Sequence, residues 1–314
     1  MVKYIYAFPG QGAQAPGMIK DVCEKFGEGK ALLDKYSKVA GIDIPSLLWN
    51  STAEDLARSD NSQTAITAAS LAAVEILKAK GISPSVAAGF SLGEWSALCV
   101  SGILSFEETV YAVTKRGAIM QKVCEEIAAS SNGKAPGMAA ILGLAPETIL
   151  DILKGRDDVF AVNMNSVRQT VAAGTADGLA WAEEQMKAAG ARRVVQLKVA
   201  GPFHSPLMQK AADEFAKVLD EITFNNPTLH VFSNVTGKEM TTGAEAKENA
   251  IKHITSPVLW TSEESAIKAL CDADGSEWQL LETGPGKVLS GLWKDTGYIE
   301  QIPATPWEES PVLA

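Results

Sequence analysis

Ser91 stands in the string Gly89-Phe90-Ser91-Leu92-Gly93, where a serine between two glycines can be lifted on a sharp strand-to-helix turn to attack a carbonyl carbon. A helix starting just after it points free backbone N–H groups and its positive end toward the hydroxyl, so an oxyanion could be held there. A serine at neutral pH also needs a general base, and the chain has three histidines. His204 lies in Gly201-Pro202-Phe203-His204-Ser205-Pro206, a loop stiffened by two prolines, which suits a side chain that must be held in place. His230 opens a predicted strand and reads as a half-buried structural residue, while His253, near a helix end before Ser256-Pro257, reads as a surface residue. No single acid stands out as a third partner. The same string could also be a Gly/Ser turn that only closes a βα unit.

The elements around Ser91 favour the chemical reading. Val86–Ala88 reads as a buried strand and Glu94–Leu98 as the start of a helix. Upstream, Tyr4–Phe8 reads as the first strand and Pro9-Gly10-Gln11-Gly12-Ala13-Gln14 as a turn-rich loop that could bring the Gln11 N–H beside a site. That loop is not a dinucleotide fingerprint, because Ala15 stands where a third glycine is needed, and Gly286-Lys287 lacks the spacing of a P-loop. Helical periodicity covers Val22–Val39, Gln63–Lys80 and Phe106–Ala128.

Ser130–Gly137 reads as a linker, and after it the pattern changes. Strand, helix, strand, strand, helix and strand follow over Met138–Leu142, Pro146–Leu153, Val159–Val162, Thr170–Ala173, Ala176–Ala189 and Arg193–Val199. That order is ferredoxin-like. We therefore expect a small domain at 130–199 inserted into an α/β domain made of 1–129 and 200–314. Beyond it, a helix is predicted at Leu207–Leu219, strands at Leu229–Phe232 and Gln279–Leu281, and a last helix at Lys287–Trp293; the tail from Pro303 is expected to be poorly ordered.

Composition narrows the class of function. With 314 residues, 46% of them hydrophobic and 21% charged, the chain can bury a large core. A net charge of −10 argues against nucleic acid as a partner, and no apolar run is long enough to span a membrane. The N-terminal apolar run is too short for a signal-peptide core. Cys23, Cys99, Cys124 and Cys271 are far apart with no histidine at ligand spacing, so structural thiols in a reducing cytoplasm are expected and no metal site.

Several stretches together resemble the malonyl-CoA:acyl carrier protein transacylases. They are Phe8-Pro9-Gly10-Gln11-Gly12-Ala13-Gln14, Gly89–Glu94, Lys115-Arg116-Gly117 with Met120-Gln121, and Gly201–Met208. Asn163–Ser166 with Gln169 and Gly174, and Glu282–Leu289, complete the set, in the family's order over nearly the whole chain. The resemblance implies an α/β-hydrolase-like large domain with a ferredoxin-like insert. It implies Ser91 as nucleophile and His204 as base, with the imidazole oriented by the backbone carbonyl of His253. It implies an oxyanion hole from the N–H groups of Gln11 and Leu92, and Arg116 as the partner of the malonyl carboxylate, to which a planar guanidinium can donate two hydrogen bonds. From the residues alone Arg116 reads as an ordinary helix-surface arginine. Gln63 is implied to line the pocket. The implied partners are malonyl-CoA and acyl carrier protein, with no cofactor.

Two positions depart from the family pattern. Phe90 stands where His is common, and His253 where Gln is frequent; use of the carbonyl alone would make the second change harmless. Relatives that accept a 2-methyl branch often carry a smaller residue at the position of Phe203, so unbranched malonyl is expected. Arg192, Arg193, Lys187 and Lys198 are the candidates for a basic patch facing an acidic carrier protein. A serine hydrolase would share the elbow but lacks a use for Arg116, and the lipase-type HGGG loop is absent. A non-catalytic docking module would need neither Ser91 nor His204. A stand-alone acyltransferase of a polyketide pathway would carry the same residues.

Overall fold

The computed structural model describes residues 2–313; Met1 and Ala314, the outermost residues of the expected large domain, lie outside the described residues. The chain opens with β1 (Lys3–Phe8), followed by α1 (Lys20–Lys25), α2 (Gly27–Ala40), α3 (Ile44–Asn50), α4 (Ala53–Ala57) and α5 (Ser59–Ala79). Next, β2 (Pro84–Gly89) leads into α6 (Gly93–Val100) and α7 (Phe106–Ser130). Local chemistry sets several of these limits. Thr52 with Asp55 and Ser105 with Glu108 form reciprocal capping boxes at the starts of α4 and α7, and Gly41, at φ 68°, ends α2. The single helix expected over Val22–Val39 is two, because Phe26 is extended (φ −123°, ψ 110°) between α1 and α2.

After α7 come β3 (Gly137–Leu142), α8 (Pro146–Leu153), β4 (Val159–Ser166), β5 (Gln169–Gly174), α9 (Ala176–Ala188) and β6 (Arg193–Gln196). They form a four-stranded sheet in the order β4-β5-β3-β6, each neighbouring pair antiparallel, which is the ferredoxin-like arrangement. Alternation along β3 explains its two faces. Ala139 and Ile141 pack with Ile149, Leu179 and Met186 of the two helices, while Met138 and Ala140 join the core of the rest of the molecule.

The remainder comprises α10 (Gln209–Leu219), β7 (His230–Phe232), β8 (Glu239–Met240), α11 (Gly243–Lys252), α12 (Trp260–Asp274), β9 (Trp278–Glu282), α13 (Val288–Asp295) and β10 (Ala304–Pro306). With β1 and β2, these strands make a six-stranded sheet in the order β10-β9-β1-β2-β7-β8, parallel except where β8 turns back on β7. Tyr6 and Phe8 bury on one face of β1, Ile5 and Ala7 on the other. A strand covered on both faces reads as a continuous apolar run, which is why β1 and β2 were visible in the sequence.

Two expectations fail here. The segment after Pro303 is ordered: β10 pairs with β9, and the fully buried Trp307 donates its indole N–H to the Gly284 carbonyl at 3.0 Å. Three paired residues and one aromatic anchor are too short a signal to read as periodicity. His230 is exposed rather than half-buried, with its Nδ1 2.7 Å from Glu239 Oε1 on the neighbouring strand.

Candidate active site

Three segments bring Ser91, His204 and Arg116 together. The first is the turn between β2 and α6, where Ser91 has φ 51°, in the left-handed region. The turn is tight enough to dictate its glycines. A Cβ on Gly89 would stand 2.0 Å from the Gly93 carbonyl carbon, and one on Gly93 would stand 2.0 Å from the Phe8 carbonyl oxygen. Gly10 serves the same packing, since a Cβ there would meet the Phe90 carbonyl oxygen at 2.4 Å. The Phe90 ring packs edge-on against Trp260, centroids 5.6 Å apart.

The second segment is the loop before α10. Ser91 Oγ lies 2.7 Å from His204 Nε2, and the opposite ring nitrogen of His204 donates to the carbonyls of His253 at 2.9 Å and Ser256 at 3.2 Å. With the Nδ1 proton committed to those carbonyls, Nε2 is left to accept from the serine. His204 is also left-handed, at φ 60°, a conformation that costs a non-glycine residue roughly 1–3 kcal/mol. Burial, reinforced by the positive charge of Arg116, pushes the His204 imidazole down to about 4 against the opposing pull of the two carbonyls. The ring is therefore neutral at pH 7.

His253 is the residue that caps the C-terminus of α11, and it is buried, 1% exposed, rather than on the surface. Its side chain faces a polar cluster beneath the turn. Asn234, just after β7, accepts the Ser91 N–H on Oδ1 at 2.6 Å; its Nδ2 donates to the Gly89 carbonyl at 2.6 Å and to Glu263 Oε1 at 2.7 Å. The backbone N–H of Asn234 donates to Glu94 Oε2 at 2.7 Å, and His253 Nε2 lies 3.3 Å from Asn234 Oδ1. Burial raises the Glu94 carboxyl to about 8 and Glu263 well above the usual range, and it lowers His253 well below its own. Asn234 and Glu263 were missed in the sequence, where Asn234 sits in an ordinary-looking turn. Glu94 had a signal: a charge at the head of the apolar run Trp95–Val100.

The third segment is α7, which buries Arg116 instead of exposing it, at 1% exposure. Its Nη1 donates to Gln63 Oε1 at 2.8 Å, whereas Nε and Nη2 have no partner among the described residues. Burial lowers the guanidinium to about 10, so it stays charged. A buried cation with free donors is costly unless something answers it, and a carboxylate fits.

These groups share a cavity of about 190 Å³ lined by Gln11, Ser91, Leu92, Arg116, Phe203 and His204 together with Asn163, Asn165 and Val171 from the small sheet. No protein acceptor takes the backbone N–H of Gln11 or Leu92 among the described residues. Asn165 Oδ1 is also unpartnered, while its Nδ2 donates to Gln169 at 2.8 Å. Gln63 stands behind Arg116 rather than on the cavity wall, with its Nε2 turned to Met120 Sδ at 3.3 Å. The small sheet is tied in at this level, since Val258 just before α12 exchanges backbone hydrogen bonds with Val162 and Met164 of β4. No group of ligating residues that could hold a metal occurs among the described residues.

The family described as acyl transferase domain matches residues 5–275. The malonyl CoA-acyl carrier protein transacylase of Bacillus subtilis strain 168 is 39% identical over 298 residues, 94% of this chain and 90% of that protein. The solved malonyl CoA-acyl carrier protein transacylase of Coxiella burnetii matches with a TM-score of 0.88 at 30% identity, covering 99% of this chain and 96% of that one. A malonyl-transacylase solved in complex with its type II PKS acyl-carrier protein matches at 0.87 and 33% identity, covering 99% and 97%.

Proposed function

This chain belongs to the acyl transferase family, and from that premise we propose that it carries the malonyl group from malonyl-CoA to the phosphopantetheine thiol of acyl carrier protein in fatty-acid synthesis. Of the observations behind this reading, the one that carries it is the unanswered guanidinium of Arg116 in the cavity that also holds the Ser91–His204 pair. A thioester with a free carboxylate satisfies both ends of that site. A neutral acyl group would leave Nε and Nη2 unpaired.

The reaction is two acyl transfers through one serine ester. His204 Nε2 takes the Ser91 proton as Oγ attacks the thioester carbon, and the N–H groups of Gln11 and Leu92 hold the oxyanion that forms. Collapse breaks the carbon–sulfur bond, and the imidazolium returns its proton to the departing coenzyme A sulfur. The carrier thiol then enters, gives its proton to His204 and attacks the ester, and Ser91 leaves as a hydroxyl with that same proton. Arg116 fixes the malonyl carboxylate throughout, with Gln63 holding the guanidinium from behind and the His253 carbonyl holding the base.

Phe203, 6% exposed on the cavity wall, restricts the carbon next to the thioester, so the substrate is unbranched. No helix among the described residues is long and apolar enough to cross a membrane. The four cysteines are free thiols, the state expected of a protein that works in a reducing cytoplasm. The 0.87 likeness to a malonyl-transacylase solved with a type II PKS acyl-carrier protein supports a polyketide carrier as a second acceptor for the same chemistry.

Mass spectrometry of holo acyl carrier protein incubated with this chain and malonyl-CoA tests the reading. Malonyl-carrier is expected, with methylmalonyl-CoA giving at least tenfold less. Free malonate and unmodified carrier would make the protein a hydrolase, and equal use of both thioesters would remove the role given to Phe203.

A further inference from the structure

Beneath the turn that carries Ser91 lies a side chain that touches neither cavity nor substrate, yet has every hydrogen-bonding position filled. Asn234 Nδ2 spends its two protons on the Gly89 carbonyl and Glu263; Oδ1 accepts the Ser91 N–H and faces His253 Nε2. A carboxamide offers two donors and two acceptor positions, and all four are used, within a residue that is fully buried. Two of the four partners are backbone groups that flank Phe90: the Gly89 carbonyl and the N–H of the left-handed Ser91. We infer that Asn234 is the positioning residue of the nucleophile and that the His253 ring acts through it, so that His253 sets both halves of the pair: the base through its carbonyl and the serine through its side chain.

The left-handed turn takes away the partner that the Ser91 N–H would have in a strand or helix. At φ 51° the Ser91 N–H cannot join the hydrogen bonding of β2 or α6, and buried backbone donors need a partner. Asn234 supplies it from the turn after β7, and the Gly89 contact fixes the other side of the elbow, so serine Oγ is held from below against the His204 imidazole, 2.7 Å away. His253 Nε2 is 3.3 Å from the oxygen that takes the serine N–H, and as a buried, neutral ring it can point its proton there. The backbone N–H of Asn234, bound to Glu94 on α6, ties the loop to the helix that starts after Ser91. An aspartate at 234 would keep the shape but turn an acceptor toward the Gly89 carbonyl and Glu263 Oε1, both of which now accept from the amide. A glutamine at 253 keeps a donor that can reach Oδ1, and a leucine does not.

The inference rests on Ser91 being the acyl acceptor. It is tested by rapid-quench measurement of malonyl-serine formation in the whole chain over a range of malonyl-CoA concentrations. Asn234→Ala and Asn234→Asp are expected to lower the maximal acylation rate about 100-fold, since small misplacement of a reacting group costs that much, while the half-saturating concentration changes less than threefold. His253→Leu is expected to lose at least tenfold in maximal rate and His253→Gln no more than threefold. His253→Leu added to Asn234→Ala should cost less than a further twofold, because the ring works through the amide. A maximal rate for Asn234→Ala within threefold of the parent would overturn the inference, as would equal rates for the Leu and Gln variants at 253 or multiplicative losses in the double variant. Should Asn234→Ala not fold, the Leu and Gln pair decides alone. Absence of adduct in the parent protein would instead overturn the acyl-transfer reading.

Discussion

At the scale of single residues, the site sets two charges against burial and resolves each differently. Arg116 keeps its charge while buried, with two donors unused among the described residues, and in the function proposed above a substrate carboxylate answers them. Arg116→Ala is therefore expected to lower kcat/KM for malonyl-CoA by at least 100-fold, the size of a lost charge-assisted pair, while kcat/KM for acetyl-CoA stays the same or rises. Parallel losses for both thioesters, measured by steady-state transfer, would deny Arg116 its role in recognition. His204 resolves burial by staying neutral, its imidazole pushed down to about 4. A base with a lowered value is ready at any pH above it, so the acylation rate should be level from pH 8 to about 5 and fall as acid protonates the ring near 4. A midpoint between 6 and 7 in single-turnover acylation would contradict this. Ser91 and His204 were legible because each sits in a string with a mechanical reason. The burial of Arg116 was not, because one face of a long helix with charges on both sides gives no sign of which neighbour will cover it.

At the scale of elements, the turn after β2 and the end of the chain carry the constraints. The glycines of the elbow were legible as a spacing, and the close approach of Gly93 to the Phe8 carbonyl is what that spacing encodes. The C-terminal anchor was illegible, since β10 holds three residues and its stability comes from β9 and from Trp307, not from local propensity. Trp307→Ala is expected to destabilise the protein by about 3–5 kcal/mol in urea unfolding, because it empties a fully buried indole site and orphans the Gly284 carbonyl. A change under about 1 kcal/mol would mean the tail is an ornament on the sheet. Of α11 only its end near His253 was legible in the sequence, and α12 was not. The end of one supplies the carbonyl of His253 and the first turns of the other supply Glu263, so the polar cluster under Ser91 assembles only in the fold.

At the scale of the whole molecule, a mostly parallel sheet presents the elbow and a ferredoxin-like sheet closes the cavity over it, joined by the Val258–β4 backbone bonds. The alternation of strand, helix and strand after Gly137 made the second sheet legible, but nothing local specified its register against α12. Charge is the other molecular property. The chain carries a net −10, yet Arg193 at the start of the edge strand β6, Arg192 before it and Lys198 beyond its end are each exposed, with Lys187 of α9 paired to Glu183. Arg192→Glu with Arg193→Glu is expected to raise KM for acyl carrier protein at least fivefold and to leave KM for malonyl-CoA unchanged, with the effect shrinking in salt. Equal changes in both constants would place the carrier elsewhere.

The central claim is a serine ester that waits for a thiol, and intact-mass and peptide spectrometry of the protein after mixing with malonyl-CoA reads it directly. One malonyl group is expected on Ser91, absent in Ser91→Ala, and discharged when holo acyl carrier protein is added. Turnover with no adduct at Ser91, or an adduct that water removes as fast as the carrier does, would contradict the account.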